Sequence, residues 1–260
     1  MSRASLGALD GEAVVSTCLC QLLDTRAHEL PPAGRPMVRE SRRAVICDFD
    51  GTITDVDTGQ LVLTTFSGND WIRYHEQYVR GELSFEECLR RQYSHVARAT
   101  KASILSLVEE RVHVRRGFEE LLAAAALADA PVVVASYGLD FCIERVMGNV
   151  RNGGAVQVYS PKAKLEEGGI TLDFPSPHTK DVVNLKDDAV CWYKQKGFEV
   201  LFVGDGASDL PAVEKADASF AIEGSELATM CEREGIKCVT IADFWPVVNV
   251  LTRVTSRRGR

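Results

Sequence analysis

Short apolar runs of four or five residues recur along this chain, and several of them are uninterrupted by polar residues. They lie at residues 44–47, 131–135, 156–159, 200–203, 219–222 and 238–241. Uninterrupted runs of this length are typical of strands that are buried on both faces of a parallel sheet. Stretches with helical spacing separate the runs, at residues 118–127, 141–147, 187–195, 211–215 and 226–234. The alternation predicts an α/β fold with a doubly wound, mostly parallel sheet.

Polar residues that can carry out chemistry follow three of the predicted strands. The first strand runs into "DFDGT", which begins at Asp48, the second into Ser136, and the fourth into "GDGASD", which ends at Asp209. In doubly wound sheets the ligand lies beyond the carboxyl ends of the strands. These residues are therefore predicted to share one site.

The aspartates in these segments suit a divalent cation and chemistry on phosphorus. Mg²⁺ is usually held by one or two carboxylates together with waters and substrate phosphate, and Asp48 and Asp205 can supply the carboxylates. An aspartate beside such a metal can attack phosphorus, and Asp50 is placed to protonate the leaving alcohol. A calcium-binding loop is excluded, because the glycine and glutamate that it requires at its sixth and twelfth positions fall on Ile53 and Gly59.

The composition narrows the class of partner. A net charge of -7 and a pI near 5.4 argue against a nucleic-acid-binding surface, whereas a small anionic substrate needs only local positive charge or a metal. No run of about 18 apolar residues is present, so no membrane span is predicted. The eight cysteines are scattered and form no CxxC pair, which is typical of a reducing compartment and predicts a cytoplasmic protein.

In this order and at these strand ends, the segments resemble the motifs of the haloacid dehalogenase superfamily of phosphatases. "DFDGT" resembles the first motif, Ser136 the second, Lys186 the third and "GDGASD" the fourth, over roughly residues 44–245. The resemblance implies a Rossmann-like core and a Mg²⁺-dependent phosphatase that forms an aspartyl-phosphate. By this resemblance Asp48 is the nucleophile, Asp50 is the acid/base, and Ser136 and Lys186 are the phosphate clamp, with further phosphate contacts from Gly51, Thr52, Tyr137 and Gly138. The resemblance implies that Asp48, Asp205 and the main-chain carbonyl of Asp50 are the metal ligands, and that Asp209 supports the metal's water shell.

Each motif taken alone has an ordinary structural explanation. "DG" is a common turn dipeptide, Ser136 alone is typical of a turn or cap, and "GDGASD" alone fits a loop that ends in a helix cap at Asp209. Lys186 alone fits a solvent-exposed helix position, and Lys180 competes with it for the third motif. The functional interpretation depends on the coincidence of four weak signals, in one order and along one edge of the predicted sheet.

The chain is predicted to contain a core, an insertion and two terminal segments. Residues 44–54 and 130–250 are assigned to the catalytic core, residues 1–43 to a flexible extension and residues 251–260 to a basic tail. Residues 55–129 have mostly helical spacing and resemble the cap of the phosphoserine-phosphatase-like branch, which implies closure over the site and selection of the leaving group. The aromatic residues of this insertion are expected mainly to pack its helices together: Trp71, Tyr74, Phe85 and Tyr93.

Within that branch, the chain is most similar to the methionine-salvage 2-hydroxy-3-keto-5-methylthiopentenyl-1-phosphate phosphatase group, in "VRRGFEELL", "SYGLDFCIERVM" and "CEREGIKCVTIADFWPV". Tyr137 is a departure, since these relatives usually have glycine there. The phosphoserine phosphatases are the alternative, but their carboxylate-binding arginine aligns with Gln92 and their substrate-binding glutamate with Asp57. These differences predict a small keto or hydroxy phosphate as substrate, with Asp57 accepting hydrogen bonds from it. A phosphotransferase and a non-catalytic phosphate-binding protein stay open as alternatives.

Overall fold

A computed structural model describes residues 42–151 and 155–252 of the chain. The predicted extension at residues 1–43 and the predicted tail at residues 251–260 lie almost entirely outside the described residues. Six strands form a wholly parallel sheet in the order β3-β2-β1-β6-β7-β8, which confirms the predicted fold class. The strands of this sheet are β1 (Arg43–Cys47), β2 (Val132–Ala135), β3 (Gln157–Tyr159), β6 (Glu199–Gly204), β7 (Ala218–Ile222) and β8 (Val239–Ile241). A separate hairpin consists of β4 (Lys162–Glu166) and β5 (Gly169–Asp173).

Helices cover both faces of the parallel sheet. The α-helices of the described residues, including those of the insertion, are α1 (Thr58–Phe66), α2 (Ile72–Val79), α3 (Phe85–Tyr93), α4 (Lys101–Arg111), α5 (Phe118–Leu127), α6 (Asp140–Asn149), α7 (Leu185–Gln195), α8 (Leu210–Lys215), α9 (Glu226–Glu234) and α10 (Trp245–Thr252). Successive residues of β1 enter different cores, since Val45 packs in the core that contains Phe118 of α5, and Ile46 in the core that contains Val190 of α7. The uninterrupted apolar runs therefore reflect burial on both faces. None of the described helices has the length and hydrophobicity needed to cross a membrane.

Helices α1 to α4 form an insertion whose two connections to the core lie side by side. Thr54 on the outgoing segment pairs with Val114 on the returning segment in an antiparallel bridge. The main-chain nitrogen of Asp55 donates to the carbonyl of His113 at 3.0 Å, and that of Arg115 donates to the carbonyl of Ile53 at 2.7 Å. The insertion thus departs from the core and returns to it directly after the loop that follows β1.

Two elements differ from the sequence predictions. The hairpin of β4 and β5 is not among the predicted strands, because β4 alternates exposed and half-buried residues and so lacks an uninterrupted apolar run. Helix α10 is not among the predicted helices, because a proline and three valines among its eight residues have low helix propensity. Helix α10 packs against α5, with the Phe118 and Phe244 ring centroids 5.1 Å apart.

Candidate active site

Asp48 lies directly after β1, at the carboxyl edge of the parallel sheet. Its main-chain nitrogen still donates to Val203 of β6 at 2.9 Å, so the last sheet hydrogen bond fixes its position. Its Oδ1 accepts from the main-chain nitrogen of Phe49 at 2.7 Å, and its Oδ2 lies 2.8 Å from Nζ of Lys186. The side chain is 6% exposed. The sheet, the following loop and one lysine therefore orient this carboxylate together.

Lys186, in the first turn of α7, is the buried cation of the site. Its Nζ contacts Oδ2 of Asp48 at 2.8 Å, Oδ1 of Asp209 at 2.7 Å and Oγ of Ser208 at 2.9 Å. Burial alone would lower the pKa of Lys186, but the two carboxylates outweigh it and hold the pKa above its usual range. Lys180, the competing residue in the sequence, is exposed instead. The structure thus brings Lys186 to the predicted site.

Three carboxylates at the edge form an acidic cluster: one oxygen each from Asp48, Asp205 and Asp209 lie within 4.8 Å of one another. Oδ1 of Asp205 accepts from the Thr52 hydroxyl at 2.8 Å, and burial, reinforced by Asp209, raises the pKa of Asp205 to about 6. Asp209 is fully buried, and its Oδ2 accepts from the main-chain nitrogens of Asp205 and Gly206 at 2.9 Å each. This all-oxygen donor set, with more carboxylates than the single lysine neutralises, fits a hard divalent cation.

Gly51 allows the loop after β1 to approach the acidic cluster. Its φ of 73° lies in the left-handed region, and a Cβ at this position would collide with the carboxylate of Asp205. The guanidinium of Arg115 holds the same loop from the other side, with Nη2 donating to the Gly51 carbonyl at 2.7 Å and Nε to the Thr52 carbonyl at 2.8 Å. Sequence analysis assigned this arginine no role, because the segment "VRRGFEELL" that contains it served only as a point of resemblance.

Asp50 is held by the start of helix α1. Its Oδ1 accepts from the main-chain nitrogen of Thr58 at 2.8 Å and from the Thr58 hydroxyl at 2.5 Å. Burial, reinforced by the charge of Asp57, raises the pKa of Asp50 to about 7, although the hydrogen bonds from Thr58 oppose the rise. Asp57 itself caps α1 by accepting from the main-chain nitrogen of Gln60 at 2.7 Å. Thr58 was not identified from the sequence, where a threonine after an aspartate indicates only a helix start.

The loop after β2 lies beside Asp50. Oγ of Ser136 accepts from the main-chain nitrogen of Gly138 at 3.0 Å, and Ser136 is 1% exposed. A Cβ on Gly138 would lie 2.6 Å from Oδ2 of Asp50 and 3.2 Å from Oγ of Ser136. The absent side chain therefore leaves the room that brings the two motifs together. Both residues lie where the sequence predicts a phosphate-binding loop.

Tyr137 occupies its place in this loop without left-handed backbone geometry, since the described non-glycine residues with positive φ are Asp129 and Asp181. Its ring meets Phe85 of α3 edge-on, with centroids 4.8 Å apart, and its hydroxyl accepts from the main-chain nitrogen of Leu185 at 3.3 Å. Burial raises its pKa to about 12. The tyrosine therefore connects the loop to the insertion and to the start of α7.

The arginines of helix α3 are engaged away from the acidic cluster. Gln92 is buried, with 4% of its surface exposed. Arg90 donates to the main-chain carbonyl of Leu172 in β5, and Arg91 forms an ion pair with Glu87 at 2.7 Å. Arg90 and Arg91 therefore each have a partner within the chain.

Comparison with known proteins gives one family and several relatives. A family model described as haloacid dehalogenase-like hydrolase matches residues 45–214. A protein of Bacillus pumilus named 2-hydroxy-3-keto-5-methylthiopentenyl-1-phosphate phosphatase is 24% identical over 181 residues, covering 68% of this chain and 78% of its own length. A protein of the same name from Exiguobacterium sibiricum is 25% identical over 214 residues, covering 80% of this chain and 95% of its own length.

Solved structures with the same fold include a phosphoserine phosphatase with an analogue of its phospho-aspartyl intermediate. It superposes with a TM-score of 0.62 at 18% identity, covering 81% of this chain and 99% of that one. A haloacid dehalogenase family hydrolase from Salmonella enterica serovar Typhi superposes with a TM-score of 0.65 at 17% identity, covering 81% of this chain and 72% of that one. At these identities the likeness is one of fold, and function has to be argued from the site.

Proposed function

The chain belongs to the haloacid dehalogenase-like hydrolases, and on that premise we propose that it is a Mg²⁺-dependent phosphomonoester hydrolase acting on a small phosphorylated metabolite through an aspartyl-phosphate. The observation that carries the proposal is the position of Asp48 at the carboxyl edge of the sheet. Its Oδ2 lies 2.8 Å from Nζ of the buried Lys186, and its carboxylate belongs to the acidic cluster. The names of the two relatives described above, both phosphatases, agree with it.

Mg²⁺ fits the acidic cluster by the chemistry of its donors. We assign Asp48, Asp205 and the main-chain carbonyl of Asp50 as its ligands, with Asp209 supporting the water shell through the loop that it anchors. When bound, the metal offsets the charge of the phosphate oxygens and of the surrounding carboxylates. Lys186 supplies a second, permanent positive charge beside the same oxygens.

In the first step, an Oδ atom of Asp48 attacks phosphorus, and the bond between phosphorus and the ester oxygen breaks. The proton that the departing oxygen needs comes from Asp50, whose pKa of about 7 keeps a large protonated fraction near neutral pH. Thr58 holds the other oxygen of Asp50, so the proton-bearing oxygen faces the loop at Gly138. The products are an alcohol and the phosphoryl group on Asp48.

In the second step, Asp50 is ionised and takes a proton from water, and the resulting hydroxide attacks the phosphoryl group. The bond between phosphorus and the Asp48 oxygen breaks, which releases inorganic phosphate and restores both carboxyl groups to their starting forms. Ser136, Gly138 and Lys186 are assigned to hold the phosphate oxygens through both steps, together with the backbone of Gly51 and Thr52.

The insertion selects the leaving group in this proposal. The position aligned with a carboxylate-binding arginine is the buried Gln92, while Arg90 and Arg91 have other partners. A charge-assisted contact that is absent lowers discrimination by about 1.5 to 3 kcal/mol, or roughly ten- to a hundredfold. We therefore expect keto and hydroxy phosphates, including the methionine-salvage enol phosphate, to exceed phosphoserine in kcat/KM.

A panel of phosphorylated metabolites tests the proposal. Phosphate release from the enol phosphate, dihydroxyacetone phosphate and phosphoserine is measured with Mg²⁺, with Ca²⁺ and with excess chelator. We expect release with Mg²⁺ and suppression by Ca²⁺, which takes more ligands and would engage both oxygens of Asp48. Undiminished activity in excess chelator contradicts the metal assignment, and phosphoserine as the best substrate returns the chain to the phosphoserine phosphatases.

Two further outcomes distinguish the remaining alternatives. Phosphoryl transfer to an added alcohol, detected as a new phosphate ester, would identify a phosphotransferase. Binding of inorganic phosphate without turnover of any ester would identify a non-catalytic binding protein.

A further inference from the structure

We propose that the hydroxyl of Tyr93 binds an oxygen atom of the leaving group, and that the enzyme thereby selects phosphomonoesters with a hydroxyl or carbonyl on the carbon next to the ester carbon. The inference rests on the proposed function and specifies its substrate class. Sequence reasoning assigned Tyr93 to packing, and its ring does pack in the larger core. Its hydroxyl requires a separate explanation.

Tyr93 is the last residue of α3 and is 2% exposed, yet its hydroxyl has no hydrogen-bond partner among the described residues. A buried hydroxyl without a partner is costly, by about 1 to 3 kcal/mol in mutational data. The described side-chain oxygens that are both unpartnered and fully enclosed are Gln77 Oε1 and Ser160 Oγ. The Tyr93 oxygen is not one of them, so it is not fully enclosed.

Gly59 lets this hydroxyl approach the start of α1 closely. A Cβ at Gly59 would lie 2.7 Å from the Tyr93 hydroxyl oxygen and 3.2 Å from Oδ1 of Asp57, so the two oxygens lie on the same side of this residue. Because Thr58, the neighbour of Gly59, holds Asp50, the hydroxyl lies near the group assigned to protonate the ester oxygen.

The electrostatic surroundings fit a hydrogen-bond donor. Burial raises the pKa of Tyr93, and the charges of Asp50 and Asp57 raise it further, so the phenol keeps its proton. A protonated phenol can donate to a carbonyl or hydroxyl oxygen of the substrate, and Asp57 can accept from a hydroxyl. A substrate carboxylate beside this hydroxyl would lie close to the carboxyl groups of Asp50 and Asp57, which disfavours it.

Three esters that differ only in oxygen content test the inference: n-propyl phosphate, glycerol 1-phosphate and dihydroxyacetone phosphate. In Tyr93→Phe, which removes the hydroxyl and keeps the ring, kcat/KM for the two oxygenated esters should fall about 2- to 12-fold, the range for one lost hydrogen bond. The value for n-propyl phosphate should stay unchanged. Gly59→Ala, whose Cβ would collide with the Tyr93 hydroxyl, should lower kcat/KM for the oxygenated esters more than for n-propyl phosphate.

Tyr74→Phe is the matched control, because it removes a cap hydroxyl that bonds His95 at 3.0 Å, and it should leave all three values unchanged. Equal losses for the three esters in Tyr93→Phe would mean that Tyr93 acts through folding or through Asp50, and would overturn the inference, as would no loss for any ester. Failure of the unmodified protein to hydrolyse even p-nitrophenyl phosphate with Mg²⁺ would instead overturn the proposed function on which the inference rests.

Discussion

Asp48 and Asp50 are two residues apart and have different partners. Asp48 contacts the cation of Lys186, whereas Asp50 accepts hydrogen bonds from the neutral groups of Thr58. Burial raises the pKa of both carboxyl groups, but the Lys186 cation opposes the rise at Asp48, whereas hydrogen bonds from Thr58 oppose it at Asp50. These surroundings suit Asp48 to attack and Asp50 to donate a proton.

Asparagine substitutions should separate the two roles. Asp48→Asn should abolish turnover, because an amide is no nucleophile, and no phosphoenzyme should be detected by mass spectrometry. Asp50→Asn should lower kcat by about 10²- to 10⁴-fold with alkyl phosphates, the usual range for general acid–base catalysis. Its phosphoenzyme should still form from p-nitrophenyl phosphate, whose leaving group needs no proton. Mild and equal losses in the two variants would contradict the assignment.

The pKa of Asp50 makes a prediction about pH. Because the raised pKa is about 7, the acid form decreases as the pH rises through that value. If proton donation limits the first step, kcat/KM for alkyl phosphates should decline above about pH 7, while that for p-nitrophenyl phosphate declines less. Parallel profiles for the two substrates in stopped-flow or steady-state assays would argue against Asp50 as the acid.

The sequence itself predicted the residues that follow strands, and the family resemblance added Lys186 at the start of α7, but residues held by contacts elsewhere in the fold were missed. Asp48 and Asp205 can be located because a strand end determines where the next side chain points. Thr58 and Arg115 contact the loop after β1 only in the folded chain, so no local sequence pattern identifies them. Tyr93 is similar: its periodicity in α3 indicates only burial, and only the structure places its hydroxyl toward Gly59.

At the level of elements, burial on both faces made the parallel strands predictable and partial exposure concealed the hairpin. Strands β1, β2 and β6 are uninterrupted apolar runs, whereas β4 alternates and lies outside the parallel sheet. The predicted division at residues 55–129 depended on helical spacing and on a resemblance to the cap of a known branch. Since α5 packs on α10, we propose that α5 belongs with the core and that the cap consists of α1 to α4.

The segment that returns from the cap supplies Arg115, and this leads to a prediction about the metal. Arg115→Gln loses hydrogen bonds to the carbonyls of Gly51, Thr52 and Thr54, so the loop after β1, which carries Asp50, should become less ordered. We expect the Mg²⁺ concentration for half-maximal activity to rise several-fold and the free energy of unfolding to fall by about 1 to 3 kcal/mol. Metal titrations followed by activity and by calorimetry measure the first effect, and urea unfolding measures the second.

Arg116 provides the matched control for this prediction, since it is the neighbouring arginine and is exposed. Arg116→Gln should leave both quantities unchanged. A similar loss of metal affinity in both variants would point to a general effect of charge rather than to the hydrogen bonds of Arg115.

At the level of the whole molecule, Asp188 joins α7 to the segment before it and to the sheet. The side chain is fully buried and accepts from the Tyr159 hydroxyl at 2.8 Å, from the main-chain nitrogen of His178 at 2.8 Å and from the Thr179 hydroxyl at 2.7 Å. Burial alone would raise the pKa of Asp188, but hydrogen bonds from these residues outweigh it and lower the pKa. The carboxylate form is thus stabilised by the fold.

Asp188→Asn should therefore destabilise the protein in a pH-dependent way. A lowered pKa in the folded state contributes stability above the unfolded value of about 3.9, and that stability is lost as the pH falls through the folded pKa. We expect the free energy of unfolding to fall by about 2 to 3 kcal/mol at pH 7, because the amide cannot accept from all these donors. Below about pH 4 the difference in this free energy from the unmodified protein should be smaller. Glu87→Gln, in an exposed ion pair, should cost under about 1 kcal/mol. A difference that is constant with pH in denaturant titrations would contradict the linkage.

The side-by-side connections at Thr54 and Val114 predict that the insertion can be replaced as a unit. The chain leaves and re-enters the core at these bridge partners, and the entropy of closing a loop grows slowly with its length. Insertions of other lengths can therefore be grafted at the same two points with little effect on the sheet, provided that they cover the same apolar surface. A chimera that carries a foreign helical cap between Thr54 and Val114 should fold and acquire the donor's substrate preference, and a chain that unfolds would show that the two parts are not separable. Substrate choice can in this way diverge during evolution while the chemistry at Asp48 is inherited unchanged.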